Sequence, residues 1–317
     1  MEFQTVALIG LGAIGSYLAP ALRDTLGENR FFVVASGARR ARLERDGITI
    51  NGETQRFRIL DPACDRKPVD LVIVIVKHLQ LPQAIEDLRP FVGEHTTIVS
   101  FMNGISSEET LGAAFGKEKL LYGLARVSVV MQNHKSSFDP ATGYFEFGEA
   151  INTAPYTPRV QAMQQLFDRA GLRYFVREDM LRALWLKFCC NVSENQTSAL
   201  LGLTFEAWKI NDHANAVREA AFREAMWIAQ KQGIDITEAD LAQQKINLQS
   251  VPGQNKTSML QDLEQGRPTE VEMFAGTVCR MGRELGVATP VNEFLYHALY
   301  ILEDQNTGLL QHGCMAN

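Results

Sequence analysis

Residues 6–26 read Val-Ala-Leu-Ile-Gly-Leu-Gly-Ala-Ile-Gly-Ser-Tyr-Leu-Ala-Pro-Ala-Leu-Arg-Asp-Thr-Leu. Four apolar residues make a strand buried on both faces, Val6 to Ile9, and the segment Ala13 to Leu26 has helical character. Between them Gly10, Gly12 and Gly15 form GxGxxG. Glycines at these places permit a tight turn, let backbone approach a pyrophosphate, and let the helix pack on the strand, while the helix start offers amide donors and partial positive charge. The loop Gly10, Leu11, Gly12, Ala13, Ile14 and Gly15 is therefore a candidate dinucleotide cradle. The competing reading is a glycine-rich turn that only packs.

Working outward, Phe31 to Val34, Leu71 to Val76 and Thr97 to Ser100 repeat the pattern of short buried strands, with room for crossover helices between them. That alternation predicts a doubly wound, mostly parallel, Rossmann-like α/β sheet. Strand-like stretches at Leu121 to Val130, Gly143 to Phe147 and Arg173 to Val176 extend it. From about Asp179 the chain turns rich in Ala, Leu, Glu, Gln and Arg at helical spacing, with stops at Gly202, Gly233, Pro252-Gly253, Gly266 and Gly286 with Pro290. The expected division is a dinucleotide-binding domain over residues 1–178 and an all-helical substrate domain over 179–317. The stretch from Asp304 to Asn317 carries no readable pattern.

The bulk numbers agree with two ordinary globular domains. The chain has 317 residues, 46% hydrophobic and 21% charged, with a net charge of −6. A mildly acidic chain does not offer the basic surface that sequence-independent nucleic-acid binding needs. The longest apolar stretch falls far short of the roughly 20 residues that span a bilayer, and no secretory signal is visible at the start. These features predict a cytoplasmic protein with no membrane partner. Five cysteines, Cys64, Cys189, Cys190, Cys279 and Cys314, include no CxxC pair, so structural thiols are expected and no metal site.

Which dinucleotide is decided after the second strand. An NAD enzyme normally places an acid there for the ribose 2′-hydroxyl, about 20 residues beyond the glycines. Here the strand leads into Ala35-Ser36-Gly37-Ala38-Arg39-Arg40, with Arg42 beyond and no acid. Ser36, Arg39 and Arg40 suit a 2′-phosphate, so NADP is the expected cofactor; a solvated helix face is the alternative. Lys77 at the exit of the third strand and Asn103-Gly104 after the fourth sit where doubly wound folds bind ligands.

In the helical half, Lys187, Asn191 and Asn195 fall at i, i+4 and i+8 on one face of a helix. Its other directions are apolar through Leu184, Trp185, Leu186, Phe188, Cys189, Cys190 and Val192. Such a helix is expected to be buried, with the polar stripe lining a cleft and desolvation pressing the Lys187 pKa downward. Thr269 reads as an N-cap with Glu272 completing a capping box, which puts Glu270 in the first helical turn; Ser258 lies near the start of the preceding helix.

Taken in order, GLGAIG, Val76-Lys77, Asn103-Gly104, WxKxxxNxxxN from Trp185, and Thr257-Ser258-Met259-Leu260-Gln261-Asp262-Leu263 followed by Gly266-Arg267-Pro268-Thr269-Glu270 resemble the ketopantoate reductase (2-dehydropantoate 2-reductase) family over nearly the whole chain. The resemblance implies NADPH-dependent reduction of ketopantoate, a step of pantothenate biosynthesis, with Lys187 as general acid and Glu270 holding the hydroxyl. It also implies that Asn191, Asn195 and Ser258 bind substrate, with Asn103 and Lys77 at the cofactor side; Asn103 and Glu270 could each reach both ligands. Ketone reduction needs a hydride and a proton, so this set is chemically coherent.

The chain departs from the family at Ser36, where an Arg is common, and at Gln196, where Pro often follows Asn195, with Glu194 before it. Ala275-Gly276 stands where many members have Asn-Gly. These departures leave the reaction class intact and the substrate open, so one alternative is a relative reducing another 2-oxo acid; the other, a non-catalytic NADP-binding sensor, is disfavoured by the retained Lys187, Asn191 and Glu270. The helical half offers surfaces through which two copies could pair as a homodimer.

Overall fold

The computed structural model describes residues 2–310. Two compact units divide the chain, Met1–Leu181 and Arg182–Asn317.

In the first unit the strands are β1 (Val6–Ile9), β2 (Phe31–Val34), β3 (Ile48–Ile50), β4 (Glu53–Gln55), β5 (Ile59–Leu60), β6 (Leu71–Val74), β7 (Thr97–Ser100), β8 (Leu120–Arg126), β9 (Val130–Gln132), β10 (Lys135–Ser137), β11 (Tyr144–Gly148) and β12 (Tyr174–Phe175). Eight of them form one sheet in the order β12-β11-β8-β7-β6-β1-β2-β5. Every pair from β5 to β8 is parallel, and β11 then runs antiparallel to β8. β1 lies between β2 and β6, with Val6 opposite both Phe31 and Leu71.

Period-2 alternation divides the strand residues between two cores. Val6, Leu8, Phe31, Val33, Leu71 and Ile73 face one layer with Leu18 and Leu22 of α1 (Ala13–Leu26). Helix α2 spans Gly37–Asp46. Ala7, Ile9, Phe32, Val34, Val72 and Val74 face the other layer, with Leu81, Ala84 and Ile85 of α3 (Leu81–Leu88) and Leu111 of α4 (Ser107–Phe115). Helix α5 (Pro158–Arg169) returns to the first layer through Val160, Met163 and Phe167. Both faces of the strands are covered, which is why they read as continuous apolar runs.

Sequence reasoning joined Leu121 to Val130 into one strand. The structure ends β8 at Arg126, because its partner β11 supplies no residue beyond the Tyr144–Arg126 pair. Val130 instead opens a strand of a second sheet, ordered β4-β3-β10-β9, which the pattern did not reveal. Its hairpins turn at Asn51-Gly52 and Asn133-His134, all four at positive φ, the backbone a two-residue turn demands. The strand expected over Leu71 to Val76 ends at Val74, those over Val6 to Ile9, Phe31 to Val34 and Thr97 to Ser100 keep their expected bounds, and the ends of those over Gly143 to Phe147 and Arg173 to Val176 shift by one residue.

The regular structure of the second unit, among its described residues, is all helical: α6 (Met180–Leu201), α7 (Phe205–Ile210), α8 (Asp212–Lys231), α9 (Glu238–Gln249), α10 (Ser258–Glu264), α11 (Thr277–Leu285) and α12 (Pro290–Asn306). Gly286 closes α11 in the left-handed conformation, as a helix-ending glycine does. Helix α12 runs into the stretch that carried no pattern; residues 311–317, Cys314 among them, lie outside the described residues. Among the described residues no helix is long and apolar enough to cross a membrane.

Candidate functional site

β1 delivers the chain to Gly10, whose φ is +104° and where an added Cβ would stand 2.0 Å from the Ile75 carbonyl oxygen. At Gly15 an added Cβ would meet Gly10 O at 2.2 Å, whereas at Gly12 it would meet nothing within 4 Å. The three glycines therefore do different work. Gly10 and Gly15 let backbone pack on backbone, and Gly12 leaves an open approach. Gly12 is the N-cap of α1, makes no side-chain cap, and no acid occupies the first turn. A helix start of this kind presents its amides to an anion, so the loop fits a dinucleotide pyrophosphate.

Ser36 caps α2 by position, and its Oγ donates to Asp87 Oδ2 at 3.2 Å. Gln83 Nε2 donates to the other carboxylate oxygen at 2.9 Å. The acid missing from the local sequence thus arrives from α3. Arg40 is matched already, since its Nε pairs with Glu44 at 2.8 Å and its Nη1 with Asp61. Burial, with the Arg42 charge adding, pushes Arg39 below its ordinary value. His134, at the tip of the β9–β10 turn, is also pushed down by burial, with the charges of Arg42 and Arg39 adding. Arg39 and Arg42 form a cationic pair beside the His134 imidazole, which burial and their charges hold towards its neutral form, and no local motif pointed to the histidine.

Lys77 is exposed at the start of a short 3₁₀ turn, and its backbone N–H donates to Gln80 Oε1 at 3.3 Å. Asn103 is half-buried in the loop after β7. That loop is tied at its base. Ser100 and Ser107 hydroxyls meet at 2.8 Å, and Ser107 Oγ donates to Glu108 at 2.9 Å, all three residues being buried.

In the second unit the expected burial of α6 is observed: Leu184, Trp185, Phe188, Cys189, Cys190 and Val192 are all buried. Lys187 is 9% exposed and Asn195 8%, with Asn191 half-buried between them. An ammonium this enclosed has shed most of its water, which makes its interactions with a nearby oxygen stronger than in bulk solvent. Ser258 Oγ donates to Asn195 Oδ1 at 2.9 Å. This bond orients the amide, so its two N–H donors lie on the opposite edge from α10.

The two family departures on α6 are buried and bonded. Glu194 accepts from Gln244 Nε2 at 2.8 Å and lies 4.0 Å from the fully buried Arg218. Gln196 donates to Asn292 Oδ1 at 3.1 Å, and Asn292 donates to Glu224 at 2.7 Å.

The expected capping box does not form. Thr269 N–H, the group that Glu272 would have served, goes to Glu303 Oε1 at 2.7 Å, and Thr269 Oγ1 donates to the same oxygen at 2.5 Å. Glu272 takes two hydroxyls instead, Tyr296 at 2.8 Å and Tyr300 at 3.1 Å. Both tyrosines are held above their ordinary pKa, Tyr296 first by that hydrogen bond and Tyr300 first by burial. Glu272–Gly276 winds as a π-turn before α11. At Gly276 a Cβ would meet Glu272 Oε1 at 2.8 Å. Two phenol donors outbid one distant amide, and the sequence pattern had no access to them. Among the described residues no cluster of His, Cys, Asp and Glu could hold a metal ion.

A helix start left open at Gly12 and a lysine enclosed on a buried helix are features that ketone reduction by a bound nicotinamide can use, and the chain is a nicotinamide-dependent oxidoreductase. The model for "Ketopantoate reductase PanE/ApbA" matches residues 6–152 and that for its C-terminal domain matches residues 179–303; the chain belongs to the ketopantoate reductase family. It is 26% identical over 309 residues to a 2-dehydropantoate 2-reductase of Mesorhizobium japonicum, covering 90% of this chain and 93% of that one. It is 25% identical over 303 residues to the uncharacterized oxidoreductase YkpB of Bacillus subtilis, covering 93% and 98%. Among solved structures, a 2-dehydropantoate 2-reductase from Methylococcus capsulatus superposes with a TM-score of 0.78 at 27% identity over 99% of this chain and 100% of that one. D-mandelate dehydrogenase with NADH and anilino(oxo)acetate superposes with a TM-score of 0.85 at 20% identity over 96% and 99%.

Proposed function

We propose that this chain reduces 2-dehydropantoate to pantoate with NADPH, serving pantothenate biosynthesis. The observation that carries the reading is the Lys187, Asn191 and Asn195 stripe on a buried helix, with Ser258 bonded to Asn195. The nicotinamide, when bound, supplies a hydride from C4 to the ketone carbon. Lys187 stabilises the charge that develops on the carbonyl oxygen and passes its proton to it. Glu270 accepts from the hydroxyl so formed, while Asn191, Asn195 and Ser258 hold the substrate's polar groups. On the cofactor side, Gly10, Leu11, Gly12, Ala13, Ile14 and Gly15 take the pyrophosphate, with Lys77 and Asn103 nearer the nicotinamide end. Arg39, together with Arg42 and His134, receives the 2′-phosphate; Arg40, matched by its two carboxylates, contributes less.

A second reading, reduction of a different 2-oxo acid, is favoured by Gln196 and Glu194, which replace the family's common surroundings of Asn195 with a buried polar network. Turnover with NADPH across a panel of 2-oxo acids separates the two: 2-dehydropantoate should give the highest kcat/KM, and a clear preference for another acid would overturn the first reading. The same family reading extends to a cytoplasmic homodimer, for which the dimeric ketopantoate reductase of Staphylococcus aureus, at a TM-score of 0.79, is the precedent. Light scattering would test the assembly.

A further inference from the structure

Resting on the reading of Glu270 as the residue that holds the substrate hydroxyl, we propose that α12 is the splint that aims it, with Tyr296, Tyr300 and Glu303 as positioning residues. These three fall at i, i+4 and i+7 and share one face of the helix. Each bonds a residue that flanks Glu270. Tyr296 and Tyr300 hold the Glu272 carboxylate at 2.8 and 3.1 Å, and Glu303 holds Thr269 through both its N–H and its hydroxyl, at 2.7 and 2.5 Å. One turn further, Asn306 Nδ2 donates to the Leu263 carbonyl at 2.9 Å.

The partners run in reverse order, 272, 269 and 263, as the helix advances through 296 to 306. The stretch from the last turn of α10 to the start of α11 therefore runs antiparallel to α12 and is pinned at three heights, one in α10 and two beyond it. A connector needs such pins here. Residues 265–270 have no helical or strand hydrogen-bond ladder of their own, and the chain enters α11 through the π-turn Glu272–Gly276, a form that recurs at functional sites. Thr269 and Glu272 are the pinned residues, and Glu270 sits between them. Helix α10 begins at Ser258 and is itself pinned at Leu263, so the same splint holds Glu270 in place relative to Ser258. Glu303 and Glu272 each receive their two bonds on a single oxygen. An amide oxygen could accept both, so the function assigned to these carboxylates is acceptance of hydrogen bonds and not charge.

The test is steady-state kinetics on full-length Glu303→Ala, Glu303→Gln and Tyr300→Phe, beside NADPH titrations and the Glu270→Ala background. Misplacing a binding group by about an ångström costs on the order of 10²-fold, so Glu303→Ala should lower kcat/KM by roughly tenfold to a hundredfold. NADPH affinity should be unchanged. Glu303→Gln should restore activity to within about threefold of the parent, since the acceptor remains. Tyr300→Phe, which removes one hydroxyl and no packing, should show a smaller loss of the same kind. In the Glu270→Ala background, Glu303→Ala should add nothing, because the two act through one group. Additive losses, or a Glu303→Gln as impaired as Glu303→Ala, would overturn the splint and leave Glu270 in its role. Full turnover by Glu270→Ala alone would instead remove Glu270 from the chemistry, and the splint's purpose with it.

Discussion

Gly12→Ala separates the packing glycines of the phosphate loop from the one reserved for a ligand. Gly12 has φ −99° and ψ −152°, an extended conformation open to alanine, and its new methyl would meet nothing within 4 Å. The lower unfolded-chain entropy should return about 0.4 to 1 kcal/mol, offset by the poorer N-cap, which costs a comparable amount. Net stability should therefore stay within about 1 kcal/mol of the parent. The same methyl fills the space into which a pyrophosphate would come, and overpacking of that kind costs about 1 to 3 kcal/mol, or roughly 5- to 150-fold in affinity. Gly10→Ala should behave in the opposite way. Its Cβ would stand 2.0 Å from Ile75 O on a backbone of φ +104°, so strain of about 1 to 3 kcal/mol adds to the clash. Calorimetric titration with NADPH, paired with thermal melts, reads both quantities. A Gly12→Ala protein that melts like the parent and binds NADPH equally well would refute the assignment of this loop as the cradle.

Lys187→Ala should lose about 10² to 10⁴ in kcat while NADPH still binds; near-normal turnover would leave the α6 stripe as packing. NADPH should bind more tightly than NADH, and Arg39→Ala should narrow the gap roughly tenfold. Asp87→Asn should widen it, because the carboxylate beside Ser36 opposes a phosphate; equal titrations across these variants would sink the assignment. Burial raises the Cys279 thiol to about 11 and pushes Cys189 higher still, whereas Cys64 is exposed. Iodoacetamide at neutral pH should therefore label Cys64 in the native protein and reach Cys189 and Cys279 only in denaturant, as peptide mapping would reveal.

The central strands were legible because short runs apolar on both faces alternate with helix-length segments. The small sheet escaped because its strands are three residues long and half-exposed, and Lys135-Ser136-Ser137 has no apolar signature. The Lys187 stripe was visible for the converse reason, since Lys187 and Asn191, at the helical spacing that Asn195 continues, interrupt an otherwise apolar run from Leu184 to Val192. Asp87 and His134 could not be found that way. One reaches Ser36 across 51 residues and the other sits on a hairpin turn whose neighbours are set by the fold. The capping box failed for a similar reason, since its two partners, Glu303 and the tyrosine pair, come from a helix beyond the pattern's reach.

The place of β1 in the sheet has a consequence for how the chain is made. This strand precedes every other described strand in chain order and yet lies inside the sheet, hydrogen-bonded on both edges. During synthesis one edge must wait for residues 31–34 and the other for residues 71–74. Until then an uncharged ribbon, Val-Ala-Leu-Ile, stands with its amides and carbonyls unmatched, which is the exposed edge that folded sheets take care to cover. The nascent chain is most vulnerable to aggregation before β6 emerges, and from that point each later strand only extends a sheet whose middle is already closed.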